Sequence, residues 1–298
     1  MTPLNYMSQA AHTALLAEVG TTPKPGLVDR HDNGAHTDMC YDTFAASTEA
    51  IVPYITQMSS LGLSWDKTLP ELFLAIRPIG VEAEQAMFQA TGGVNTHRGM
   101  IFSMGIISSA AGYAYRHYGS FNGEQILALC PHMTYEILER DFAKIDISNP
   151  KTHGERLYAE HGWKGIRGEA QSGYISVKEL SLPLIRELSE TNTDTNAVYL
   201  QVLLHLMAHV DDTNVLIRTD AATLEYEKQQ ARRILDLGGS FTPEGLRELA
   251  SLNEDFIQRN ISPGGCADLL AVTIYLHLLE GFENVKDSFK EEETHENN

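Results

Sequence analysis

Basic residues are scarce in this 298-residue chain: 22 Lys and Arg stand against 40 Asp and Glu, a formal charge of −18. Such a field repels nucleic acid and anionic membrane at long range, which argues against both as partners. Cysteine is scarcer still. Cys40, Cys130 and Cys266 are widely spread and show neither CxxC nor Cys/His spacing. That argues against a zinc pattern and a disulfide framework, and it fits a reducing cytoplasm. No apolar run reaches about 18 residues. The opening MTPLNYMSQA has neither a basic leader nor an apolar signal segment, so a soluble, cytoplasmic protein is expected. GxxxxGKS/T, GxGxxG and GxSxG are also missing, which removes the P-loop, dinucleotide-binding and hydrolase-elbow readings.

What is present is helical periodicity without a series of alternating strand segments. The fold class expected is all-α: one helical domain of about ten or more helices over residues 1–285, with an acidic, disordered tail over 286–298. Helices are predicted at Met7 to Val19, from an Asp42/Thr43 cap to about Met58 with Pro53 as a bend, and at Ile79 to Ala90. A small-residue, apolar helix follows from Gly99 to Tyr118, then two short pieces around Pro131, Gly123 to Leu129 and Thr134 to Phe142. The polar stretch from Asp146 to Gly173 is the one plausible hinge. Beyond it lie Leu182 to Glu190, Asn196 to Ile217, Ala221 to Leu237, Pro243 to Asn260 and Gly264 to Leu279.

Five polar islands interrupt this apolar background: Lys24 to Asp42, Asn95 to Gly99, Gly165 to Glu169, Asp211 to Arg218 and Ser262 to Asp268. The first belongs to TPKPGLVDRHDNGAHTDM, too polar to fill a core and held out of regular structure by Pro and Gly, so it is read as one wall of an active site. NTHRG (Asn95, His97, Arg98) and SPGG (Ser262, Gly264, Gly265) each precede an apolar helix, where backbone N–H groups and the helix dipole can receive phosphate; a plain cap and turn is the alternative. DDTNVLIR places Asp211, Asp212, Asn214 and Arg218 in a helix whose other residues belong in a core, as a functional cluster or an internal ion pair. Asp29, Asp32, Asp38, Asp42 and Asp212 offer oxygen ligands suited to Mg²⁺ on a polyphosphate, unless they are solvated loop acids. His205 and His209 share the i, i+4 spacing of a metal pair, but no zincin glutamate follows, and packed helix histidines are the better reading. The residues alone lead to an all-α enzyme with a mixed acidic and basic pocket for a phosphorylated ligand.

Taken in order, TPKPGLVDRHDNGAHTDM, GGVNTHRGMIFSMG, HGERLY, GIRGEAQSGY, LLHLMAHVDDTNVLIR and ISPGGCADLLAVT resemble the triphosphoribosyl-dephospho-coenzyme A synthase family from about residue 10 to 280. Arg98 stands where lysine is expected, Tyr174-Ile175 where Phe-Pro is common, and Thr219-Asp220 where glycine often follows the arginine. The resemblance implies transfer of the triphosphoribosyl group of ATP to the 2′-hydroxyl of 3′-dephospho-CoA with release of adenine. It also implies a product destined for the acyl carrier protein of citrate lyase or malonate decarboxylase, through a separate transferase. Glu169, Asp212 and Asp29 are then the catalytic candidates, with Glu169 as general base and Asp212 as its rival. Lys24, His36, Asn95, His97, Arg98, Arg167, Asn214, Arg218, Ser262, Gly264 and Gly265 are candidates for binding substrate phosphates. Asp29, Asp38 and Asp212 are candidates for Mg²⁺. A Mg²⁺-dependent nucleotide or ADP-ribose hydrolase and a helical binding module are the competing readings, and a homo-oligomer is left open.

Overall fold

The computed structural model describes residues 1–282, so the tail expected over 286–298 lies outside the described residues. Among the described residues there are thirteen α-helices and no strands, forming one helical domain, as the periodicity predicts. The first is α1 (Pro3–Gly20), opened by Thr2, whose side chain accepts from Asn5 N. Then come α2 (Tyr41–Ser64), α3 (Leu69–Ala90), α4 (Arg98–Tyr118), α5 (Gly123–Phe142), α6 (His153–His161) and α7 (Gly165–Ser172). After a π-turn at Val177–Ser181 the chain continues through α8 (Leu182–Thr191), α9 (Thr195–His209), α10 (Thr213–Arg218), α11 (Ala221–Asp236), α12 (Pro243–Arg259) and α13 (Gly264–Glu280).

Two helices form the spine. α4 is buried along most of its length, and α13 carries eleven buried residues from Cys266 to Leu279. The small residues of α4 let α2 come very close: a Cβ on Gly112 would stand 2.4 Å from the Ser59 carbonyl oxygen. Such backbone approach leaves no room for a side chain, which explains the run of Gly, Ala and Ser in an otherwise apolar helix.

Four boundaries differ from the sequence expectation, each for a physical reason. α3 begins at Leu69, ten residues before the predicted Ile79, because Thr68 and Glu71 form a capping box and Pro78 is tolerated inside the helix. α2 is capped by Cys40 with Thr43 and runs to Ser64. α5 is continuous through Pro131: the Thr134 hydroxyl donates to the carbonyls of Cys130 and Ala170 at 2.8 and 3.0 Å, tying the proline turn to α7. The helix predicted from Asn196 to Ile217 is instead broken at residues 210–212. Val210 is extended, and Asp212 caps a new helix by accepting from Asn214 N at 2.8 Å. The stretch read as a hinge, residues 146–173, contains α6 and α7.

Candidate active site

The break between α9 and α10 matters because it turns Asp212 inward. Asp211 and Asn214 therefore do not share a helix face, contrary to the continuous-helix reading. Asp211 is exposed and pairs with Lys228, whereas Asp212 is 1% exposed at the floor of a cleft of about 1080 Å³. Its two carboxylate oxygens accept from Asn214 N and Cys266 N, both at 2.8 Å, so one acid joins the starts of α10 and α13. Burial pushes its carboxyl above the ordinary range, and those backbone donors oppose the shift.

The proline-rich loop forms the facing wall. Residues 24–29 are buried, which corrects the expectation that this stretch fills no core; its polar groups are paired within the loop and to α12. Gly26 N donates to Asn253 Oδ1 at 2.9 Å, and Asn253 Nδ2 donates to Asp32 Oδ2 at 2.7 Å. Gly26 has φ +69°, and a Cβ there would lie 2.1 Å from the Ile261 carbonyl oxygen, so the loop can seat only with glycine. Asp29 accepts from Thr22 Oγ1, Lys24 N, His31 N and Asp32 N. Its carboxylate accepts these loop donors, and Asp29 is not among the residues lining the cleft. Arg218 spans the loop and α12: its guanidinium donates to the Ala35 carbonyl at 2.6 Å and to the Asn260 backbone and side chain.

At the floor, Lys24 is 1% exposed and pairs with Glu18, itself 3% exposed. Asp268 of α13 lies beside them, against the start of α4. Burial pushes its carboxyl well above the usual value, and the carboxylates of Glu18 and Asp212 add to the shift. Burial likewise raises Glu18, with Lys24 opposing. His97, 2% exposed, opens α4. Thr96 Oγ1 donates to Ser47 Oγ at 2.8 Å, and Ser47 Oγ meets His97 Nδ1 at 2.6 Å. Nδ1 is thus engaged by Ser47, while Nε2 has no hydrogen-bond partner among the described residues. Burial, then the Lys24 cation, lowers the imidazole to about 3, so it is neutral at physiological pH.

On the third side stands Glu169 of α7. Burial raises its carboxyl, and Ser176 holds it with its hydroxyl at 2.6 Å and its backbone N–H at 3.3 Å. His36 Nε2 and Ser262 Oγ share a 2.9 Å hydrogen bond. Burial lowers the His36 imidazole, Arg218 lowers it further, and Asp38 opposes. At the rim Arg98 is exposed and pairs with Glu84 at 3.1 Å.

All five polar islands thus reach one cleft. Lys24, His36, Asp38, Asn95, His97, Arg98, Glu169, Asp212, Asn214, Arg218, Ser262, Gly264 and Gly265 line it; Asp29 and Arg167 do not. Arg167 faces away, over the Phe142 ring at 6.0 Å. The starts of α4, α7 and α13 open onto the same space. Glu18, Trp163 and the Asp268 side chain belong to the cleft and were not singled out in the sequence. Glu18 had a signal: it continues the buried stripe of Ala11, Ala14 and Leu15, where an acid is out of place.

A family described as CitG, ATP:dephospho-CoA triphosphoribosyl transferase, matches residues 4–286. A Vibrio cholerae protein named probable 2-(5′′-triphosphoribosyl)-3′-dephosphocoenzyme-A synthase is 41% identical over 276 residues, 90% of this chain and 86% of its own. The Klebsiella pneumoniae protein of that name, without "probable", is 39% identical over 272 residues, 90% of this chain and 88% of its own. The Leuconostoc mesenteroides protein CitXG is 40% identical over 277 residues; this chain spans 91% of itself there and 58% of that longer protein. No solved structure matches significantly. With the family matched over nearly the whole length and relatives near 40% identity, the chain belongs to the CitG family of ATP:dephospho-CoA triphosphoribosyl transferases.

Proposed function

We propose that the cleft joins the triphosphoribosyl group of ATP to the ribose 2′-hydroxyl of 3′-dephospho-CoA and releases adenine. The observation that carries this reading is the convergence of three helix starts, the loop cations and four buried or half-buried acids on one space. ATP keeps all three phosphates in this reaction, so the phosphates need anchors that hold while the sugar carbon moves. The starts of α4 and α13, Arg98 and Arg218 supply them, with the neutral His97 ring and its unpartnered Nε2 beside them.

The chemistry breaks the bond between ribose C1′ and adenine N9, with the electron pair leaving on adenine. The acceptor 2′-oxygen then bonds to C1′, and its proton goes to Glu169. Positive charge develops on the ribosyl unit, and the carboxylates of Glu18 and Asp212 lie below it in a poorly solvated floor where their field is strongest. Burial raises Glu169, which suits a general base working near neutrality. Asp212 is the weaker candidate because both of its oxygens already accept backbone N–H groups.

Among the described residues no group of three or more His, Cys, Asp or Glu is arranged to hold a metal ion by itself. The donor set fits Mg²⁺ arriving with the triphosphate, which needs only one or two protein carboxylates; Asp38, exposed on the cleft wall, is placed for it. Bound there, Mg²⁺ would neutralise phosphate charge. The product of this reaction is the prosthetic-group precursor of citrate lyase, taken up by a transferase acting on an acyl carrier protein. Incubation with ATP and dephospho-CoA, followed by mass spectrometry of the product and adenine, tests the reading: a triphosphoribosyl adduct supports it. Adenine release independent of the acceptor refutes it.

A further inference from the structure

A second, smaller space of about 200 Å³ lies between α3, α4, α5 and α7. Its floor is apolar, built from Met58, Phe73, Ile76, Ile101, Phe102 and Ile106. Its rim is polar: Arg77 pairs with Asp141 at 2.9 Å, and Glu84 and Arg167 complete it. Two features join this groove to the cleft. Glu84 on the groove wall pairs with Arg98 on the cleft wall at 3.1 Å. One turn of α7 separates the spaces, with Ile166, Gly168 and Glu169 on the cleft and Arg167 on the groove. Among the described residues Arg167 has no carboxylate partner, only the Phe142 ring. In a chain of charge −18, an unneutralised guanidinium at a groove mouth marks a place for a ligand anion.

We propose that this groove holds the pantetheine arm of 3′-dephospho-CoA, with Arg167 on the diphosphate that joins the arm to the nucleoside. The inference rests on the transfer reaction proposed above. An arm of methylenes, a geminal dimethyl group, two amides and a hydroxyl needs a surface with an apolar floor and polar edges, which is what α3, α4 and α5 present. The acceptor hydroxyl and the 5′-diphosphate sit on one ribose. Glu169 and Arg167 sit on one turn of α7, facing the two spaces, so a single short helix positions both ends of that ribose.

Gly80 supplies the test. It lines the groove, and a Cβ there meets nothing within 4 Å, so Gly80→Phe fills the space without displacing backbone. The measurements are steady-state adenine release with varied dephospho-CoA and varied ATP, equilibrium binding of dephospho-CoA and of ADP as the armless acceptor, and thermal melting. Gly80→Phe is expected to raise the KM for dephospho-CoA tenfold or more. The KM for ATP, the affinity for ADP and the melting temperature stay within twofold or a degree of the parent. An unchanged KM for dephospho-CoA in a folded Gly80→Phe protein overturns the assignment, as does a KM rise for ATP instead, or equal losses for dephospho-CoA and ADP. Failure of the parent protein to form any triphosphoribosyl adduct strikes the reaction itself, independently of the groove.

Discussion

Lys24 and Glu18 form the only ion pair among the described residues in which both side chains are almost fully buried, at 2% and 4% exposure. Replacing Lys24 by Met leaves the Glu18 carboxylate in the floor without its cation, beside Asp268. Breaking a buried pair by removing one partner costs about 3–5 kcal/mol, whereas replacing both partners with apolar groups is near neutral. At roughly 2–4 °C per kcal/mol, Lys24→Met should lower the melting temperature by on the order of 10 °C. Glu18→Leu with Lys24→Met should recover most of that loss, because neither charge is then stranded. Activity is expected to behave differently. If the Lys24 ammonium also serves a substrate phosphate, losing a charge-assisted hydrogen bond of about 1.5–3 kcal/mol raises the KM for ATP roughly tenfold to a hundredfold. The double variant stays impaired although its stability returns, while Glu18→Gln, which keeps the ammonium, retains ATP affinity. Urea unfolding and initial rates of adenine release on the four proteins separate the two roles. A loss below about 1 kcal/mol for Lys24→Met refutes the buried-pair argument. Full turnover in the double variant removes Lys24 from the phosphate site and leaves it a structural residue.

Glu169 as base predicts that kcat/KM falls on the acid side through a value above the ordinary glutamate, about 4.3, because protonation removes the acceptor for the 2′-hydroxyl proton. Ser176→Ala deletes the hydroxyl that favours the charged form and should move that acid limb to higher pH; an unmoved limb assigns it to another group. Glu227 on α11 is 0% exposed, and neither carboxylate oxygen has a hydrogen-bond partner; burial, with Asp212 adding, pushes it well above its ordinary value. A carboxyl raised by folding contributes fully below its unfolded value and loses that contribution as pH rises through the folded value. Melting of Glu227→Gln should therefore gain on the parent as pH rises above the ordinary glutamate range, and a difference constant with pH would sink the account. Chelation should stop adenine release until Mg²⁺ is restored, while melting of the protein without nucleotide stays unchanged because no acid cluster among the described residues is arranged to hold a metal alone. A chelator-induced fall in melting temperature would point to a resident ion instead.

The helical class was legible because apolar residues recur at helical spacing, and the cleft because its polar islands interrupt segments that belong in a core. Polar groups in such positions need partners, so Asp212, Ser262 and His97 announced a site before any contact was known. Other features are set by tertiary packing. The break at 210–212 depends on Asp212 finding Cys266 N, fifty-four positions along the chain, a partner no local pattern contains. Asp29 looked like a ligand because a loop acid looks the same whether it faces a metal or its own backbone; the four donors converging on it give it a loop-shaping role that sequence alone does not show. Pro131 read as a break between two short helices, and the helix expected from Ile79 began just past Pro78, yet both prolines lie inside helices, where each removes only one N–H. Glu18 and Glu227 were legible in principle: each continues an apolar stripe at helical spacing, Glu227 between Leu224 and Ala231.

An acidic protein that binds a polyphosphate must keep its anions from competing with its cations, and the cleft does so by depth. Arg98 is exposed at the rim and Arg218 half-buried above the floor, while Glu18 and Asp212 lie at 3% and 1% exposure beneath them. The rim therefore offers Arg98, Arg218 and helix starts to an approaching triphosphate, with Asp38 and Asp211 exposed beside them, while the buried acids act on what reaches the floor. A carboxylate in that dry layer is a poor neighbour for phosphate and a good one for a sugar carbon that becomes cationic as its base leaves. Lys24, alone among the cations at that depth, offsets Glu18 and lets several acids share the floor. In the proposed reaction this vertical separation turns the donor's outer phosphates toward the rim and C1′ inward, next to Glu169, before any bond is broken.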